Sequence, residues 1–209
     1  VKVHPFIMAW GIMGLAMSGC AGKGEVVLLD IPTPRPTAVA TKPASAGLRI
    51  AVEPFEDSRS AQARLGTRSH LWGGESYFAV PGGSPSDATT LALVQFLNAK
   101  GWQTRRVKPG TQADNSDITI SGRALALSVD AKSQFGSTKL TAGTKLAMHA
   151  LNHADGSTVR MTLNGAGSDS VFWFEPEDAQ QLINAVLEDS FGQLLQNTKV
   201  EGKVLRLRD

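Results

Sequence analysis

The chain has a single cysteine, Cys20, among its 209 residues. No disulfide can form within one copy, so stability has to come from an apolar core. Hydrophobic residues make up 42% of the chain, which suffices for one domain. An excess of either charge is missing too: 21 Lys+Arg stand against 19 Asp+Glu. Domains that grip phosphate backbones usually carry a clear basic surplus, so no nucleic-acid partner is expected. Long apolar runs are lacking. The one from Phe6 to Met17 is well short of the ~20 residues a bilayer-crossing helix needs. His149 and His153 lie four apart, which on a strand means one face but ~13 Å of separation, too far to share a metal. No glycine-rich phosphate loop follows a strand, and no Ser-His-Asp pattern stands out. The expectation is a protein without metal or cofactor that is not an enzyme.

What is present begins at the N-terminus. Lys2 and His4 precede the apolar run, and small Ser18 and Gly19 then lead into Cys20. This is the pattern of a secretory signal. Small residues give a peptidase an unencumbered backbone beside the cut, and the cysteine thiol is a nucleophile able to accept a diacylglyceryl group. Leu15-Ala16-Met17-Ser18-Gly19-Cys20 resembles the bacterial lipobox, with Met17 where that motif usually has leucine. The resemblance implies removal of residues 1–19 and lipidation of Cys20. Ala21, rather than aspartate, implies sorting to the periplasmic face of the outer membrane ahead of the inner membrane. Acyl chains contribute ~0.8 kcal/mol per buried CH2, enough to anchor without a transmembrane helix.

Residues 20–47 read as a tether. Pro32, Pro34, Pro36 and Pro43 favour extended backbone, while Val26 to Leu29 is apolar enough for an edge strand. Residues 48–209 read as the folded domain. Leu48, Ile50 and Val52 alternate as a strand, and residues 57–86 read as a long loop. Ser86 is the expected N-cap of a helix over 87–100 with Leu91, Val94 and Leu97 on its apolar side and Leu93 and Phe96 beside them, ended by Gly101. A short strand at 102–107 follows. A long strand from Asp117 is expected to bulge at Gly122–Ala124, where its apolar parity switches. Alternating residues around Leu140–Ala150 and Val159–Leu163 flank a hairpin turn, His153 to Ser157. Pro176 opens a final helix with a stripe from Leu182 to Leu195, and the tail adds a last short strand. The order β-α-β-β-β-β-α predicts an α+β fold: a mixed, mostly antiparallel sheet with both helices on one face.

The lipobox, the Pro-rich tether followed by IAVEPFEDSR, and this element order together resemble the YajG-like envelope lipoproteins. The order also resembles the amino-terminal domain of TolB, the penicillin-binding-protein activator LpoB and auxiliary lipoproteins of ABC-type lipid exporters. The resemblance implies a non-catalytic binding or assembly role beside a membrane, with a protein partner in the envelope. A lipid- or solute-transport accessory and a peptidoglycan- or glycan-contacting protein are the alternatives.

Three groups of residues stand out as candidate sites. Arg64, Arg68, His70 and Trp72 share the long loop with several glycines. Arginine forks and an indole face suit an anionic or glycan ligand, or a protein surface. The plainer expectation is that Trp72 plugs the open end of the sheet. Glu53, Glu56 and Asp57, with Arg59 downstream, are expected to form ion pairs at a loop rim rather than an acid–base pair. Val171 to Phe174, reading VFWF, is expected to be buried against the last helix.

Overall fold

The computed structural model describes residues 24–31, 47–110 and 115–208. Every even-numbered residue from Thr138 to Asn152 is buried in it, while the odd ones between them are not. That is the period-two signature of a strand with one face on a core. This strand is the centre of a meander: β7 (Ile118–Gln134), β8 (Ser137–Asn152) and β9 (Thr158–Val171) pair antiparallel along almost their whole lengths. The expected bulge is present, slipping the register between Ala124 and Ala126. Buried Ile118, Ile120 and Ala124 lie before it, and Leu127, Val129 and Ala131 after it. Leu125 falls in the bulge and is exposed.

β7 is also the hub of the sheet's other half. Along its second edge it pairs parallel with β2 (Arg49–Val52), β3 (Glu56–Asp57) and β4 (Gly66–Ser69) in succession. β6 (Gln103–Arg106) continues parallel beyond β2. β4 turns back into antiparallel β5 (Glu75–Ala79), and β1 (Val26–Leu28) adds parallel to β5. The described residues thus form a nine-stranded mixed α+β sheet whose longest ladders are antiparallel.

The stretch expected as a long loop, 57–86, holds the end of β3, all of β4 and β5, and the start of the first helix. Its glycines and prolines hide short strands: β4 and β5 pair with each other locally, but their other partners, β7 and β1, lie far away in sequence. The expected edge strand near Val26 forms, and it brings Leu29 and Ile31 into the core.

Both helices cover one face. The first, α1 (Pro85–Ala99), starts two residues earlier than expected, because Ser84 rather than Ser86 is the N-cap and its hydroxyl accepts from the Asp87 amide at 3.3 Å. Of the expected apolar side chains Leu93, Phe96 and Leu97 are buried with Thr89 and Thr90, whereas Leu91 is exposed. Gly101, at φ 87°, takes the left-handed turn that ends the helix. The second, α2 (Pro176–Asn197), is capped at its start by the Asp178 carboxylate, which accepts from the Glu175 amide at 2.8 Å. Its Ile183, Val186, Leu187, Phe191 and Leu194 are buried. The Phe96 and Phe191 rings meet at 5.6 Å and join the two helices over the sheet.

Gly165 and Gly167 of β9 let α2 approach closely, since a Cβ on Gly165 would meet Ser190 and Val186. The tail forms a separate hairpin, β10 (Thr198–Glu201) and β11 (Val204–Leu207).

Candidate functional site

Backbone register aligns one end of the sheet. The Gly24 amide donates to the Glu75 carbonyl at 2.8 Å. Glu75 pairs with Ser69, Ser69 with Lys132, Lys132 with Lys139, and Lys139 with Ser170. Gly24, Glu75, Ser69, Lys132, Lys139 and Ser170 therefore form a row across β5, β4, β7, β8 and β9. At about 4.8 Å per strand it is roughly 20 Å wide. Past this row the β7–β8 hairpin runs on for two more pairs, Ser133 with Thr138 and Gln134 with Ser137, and Val171 ends β9; beyond them lie the turns, His70–Gly74 between β4 and β5, Phe135–Gly136 between β7 and β8, and the segment leaving β9 toward α2.

Each of these turns carries exposed aromatic rings. Trp72 is 89% exposed, Phe135 93%, Phe172 82% and Trp173 78%, with Leu71 beside Trp72. Large apolar side chains exposed at turn tips gain nothing for the fold, and several of them at one end of a sheet mark a contact surface. The expectation that Trp72 plugs the sheet is overturned, because a plug would be buried and its ring is 89% exposed. The VFWF segment is split. Phe174 is buried against Phe78, at 6.1 Å between rings, whereas Phe172 and Trp173 point outward.

The other loop residues have structural partners. Arg64 stacks on the Tyr77 ring at 3.5 Å, and Arg68 on the Phe174 ring at 4.0 Å. Tyr77 and Phe78 are consecutive in a strand, so the two arginines cover opposite faces of the hairpin. They do not converge on one ligand. Burial lowers the Arg68 pKa, against the opposing pull of the Glu25 carboxylate. The His70 ring meets the buried Ser76 hydroxyl at 2.7 Å and holds the base of the turn.

The Glu53–Asp57 cluster is dispersed as well. Asp57 forms a two-pronged ion pair with buried Arg59, at 2.7 and 2.9 Å. Burial alone raises the Asp57 pKa, but the hydrogen bonds and charge of Arg59 outweigh it and hold the carboxyl below its ordinary value. A carboxyl held ionised in this way is not a proton donor at neutral pH. Glu53 accepts from the Gly110 amide at 3.0 Å. Glu53 and Glu56 also line an open hollow of about 620 Å³ on the uncovered face, with Arg123, His149 and Arg160. The His149 Nε2 is buried there without a partner, and His153 instead meets the Thr119 hydroxyl at 2.8 Å. Among the described residues, no three His, Cys, Asp or Glu side chains gather as a metal site. Cys20 lies outside the described residues. No helix among them is long and apolar enough to cross a membrane.

Phe135 is the site residue that sequence reading missed. Its signal is a phenylalanine beside glycine at a reversal between two alternating strands, where polar residues are usual.

No protein-family model matches the chain, and no curated protein matches it. Among solved structures, protein XCC0632 from Xanthomonas campestris, described with the family model DUF330, superposes with a TM-score of 0.50. Identity is 12%, over 82% of this chain and 93% of that one. An uncharacterised protein superposes at 0.47 with 10% identity, covering 83% and 97% of the two chains. Lipoprotein GNA1162 from Neisseria meningitidis gives 0.28 with 10% identity, covering 71% and 99%. At such identities the likeness to XCC0632 is one of fold alone.

Proposed function

We infer that this chain is a bacterial envelope lipoprotein of the YajG-like kind, anchored through Cys20, that acts as a non-catalytic binding or assembly factor for a protein partner. The observation that carries the reading is the outer edge of β9. β9 pairs only with β8, leaving one side of a 14-residue strand without a neighbouring strand among the described residues. The Asn164 amide and carbonyl face that side, where the Gln193 side chain satisfies them at 3.1 and 2.6 Å. Alternation puts the backbone groups of Ala166 and Ser168 on the same edge. Ala166 and Ser168 are themselves small and exposed, while Gly165 and Gly167 turn toward α2. Strand addition along such an edge takes its affinity from main-chain hydrogen bonds.

The glycan alternative draws less support, since Arg64 and Arg68 stack on opposite faces rather than beside one sugar. The transport-accessory alternative needs an apolar groove along α2, and no α2 residue lines the hollow at Glu53–Arg160.

The test places a photo-crosslinking residue at Ser168 in cells with an intact envelope. The expected result is a discrete adduct that disappears in Ala166→Pro, which removes one outward N–H and spares the β8–β9 ladder. An adduct no stronger at Ser168 than at Gln103, on the opposite margin of the sheet, overturns the reading.

A further inference from the structure

We propose that the aromatic end of the sheet is a lipid-contacting surface, with Trp72, Phe135, Phe172 and Trp173 resting in the interfacial layer of the membrane to which the chain is tethered. The orientation rests on the reading of Cys20 as the anchor. The surface itself rests on the register and the exposures.

Three observations choose lipid over other occupants. The first is where the chain comes from. β1 is parallel to β5, and β5 runs away from the Trp72 turn, so the chain enters β1 from the aromatic end. Only four peptide steps separate Cys20 from Gly24, and at no more than about 3.6 Å each the anchor lies within roughly 14 Å of the aligned row. An anchor so close allows this end, and not the opposite one, to face the bilayer.

The second is shape. The rings stand on separate turns at one end of a sheet whose aligned row is roughly 20 Å wide, and all four are largely exposed. A protein partner is usually bound by rings gathered around a buried centre. Separate projecting rings suit a soft surface that each can enter independently, and tryptophan in particular favours the boundary between headgroups and acyl chains.

The third is charge. Lys132 and Lys139 stand at this end with Glu75 and Asp169, and exposed Glu25 and Glu175 lie close by. A rim without basic excess gives no attraction to anionic lipid, so the contact is apolar and works on zwitterionic membranes as well.

The experiment reconstitutes the full chain, purified from bacterial membranes, into vesicles of phosphatidylethanolamine and phosphatidylcholine with brominated acyl chains. Bromine quenches nearby indoles. The expected result is quenched emission that disappears in the double variant Trp72→Phe/Trp173→Phe, which keeps buried Trp102. Added salt leaves the quenching unchanged. Equal quenching in wild type and double variant, or none in wild type, overturns the proposal. Indoles shielded from acrylamide yet unquenched by bromine overturn it too, since a protein or a second copy then covers this end. The mass of the N-terminal peptide reports Cys20 separately. A chain without acyl groups that still shows the variant-dependent quenching removes the anchor and leaves the surface, and an acylated chain without quenching does the reverse.

Discussion

Arg59 and Asp57 stand two residues apart and meet through paired hydrogen bonds, Nε to Oδ1 at 2.9 Å and Nη2 to Oδ2 at 2.7 Å. The remaining Arg59 donors reach the carbonyls of Gln62 at 2.9 Å and of Arg64 and Leu127 at 3.0 Å. All five N–H groups of a buried guanidinium are thereby used, and the chain between β3 and β4 is tied to β7. Removing the guanidinium leaves a nearly buried carboxylate and three carbonyls without it. Arg59→Ala is expected to cost about 3–5 kcal/mol, read as a lower urea midpoint. Arg59→Lys recovers little of this, because an ammonium cannot form the fork. A midpoint within error of wild type refutes the assignment.

Asp117 gives the stability an acid limb. It accepts from the Arg49 amide at 2.9 Å and from the Lys203 ammonium at 3.1 Å. Burial raises its pKa, but these partners outweigh burial and the net shift is downward. A carboxyl whose folded pKa lies below its unfolded value of about 3.9 stabilises the fold above that value. The contribution is lost as pH falls through the folded pKa. Asp117→Asn should therefore be less stable at neutral pH and lose less on acidification. Urea midpoints between neutrality and roughly pH 3 test it, and parallel curves for both proteins contradict the assignment.

Gly165 is where helix and edge strand touch. A Cβ there would meet Ser190 Oγ, Val186 O at 2.6 Å and Thr144 Oγ1 at 2.8 Å, whereas one on Gly143 would find its nearest atom at 3.9 Å. Gly165→Ala is expected to cost about 1–3 kcal/mol by overpacking. Gly143→Ala should stay within about 0.5 kcal/mol of wild type. Thermal midpoints that fall equally for the two would show that α2 has room to retreat.

Asn152 fastens the tail. Fully buried, it donates to the Leu205 carbonyl at 3.0 Å and accepts from the Leu205 amide at 2.8 Å, as a neighbouring strand would. Asn152→Leu strands both groups, at about 1–3 kcal/mol each. The Leu205 amide should then exchange its hydrogen far faster, while amides in the middle of β8 change less. Unchanged exchange at Leu205 would mean that the hairpin is held by other contacts.

Much of this fold was legible because its strongest signals are local. The alternation in β7, β8 and β9, the stripe of α2 and the turn at Gly101 each repeat within a few residues, and burial follows the repeat. The segment 57–86 was not legible. Short strands such as Gly66–Ser69 and Glu75–Ala79 carry little pattern of their own, and their pairing with β7 and β1 is fixed by residues roughly 50 or more positions away. The direction of Trp72 and Trp173 was hidden for the same reason. A tryptophan in a turn reads first as a plug, and only the tertiary structure shows that its ring is exposed.

The sequence by itself determined that one copy has no disulfide, that its charges nearly balance, and that alternating and helical stripes build an α+β sheet covered on one face. It also holds the lipobox-like run to Cys20. Only the tertiary structure decided that Arg64 and Arg68 diverge, that Asp57 is consumed by Arg59, and that four rings from three distant turns share one end with the entry of β1. Composition and periodicity are properties of neighbours along the chain. Convergence in space depends on strand register, which is set by packing over the whole sheet.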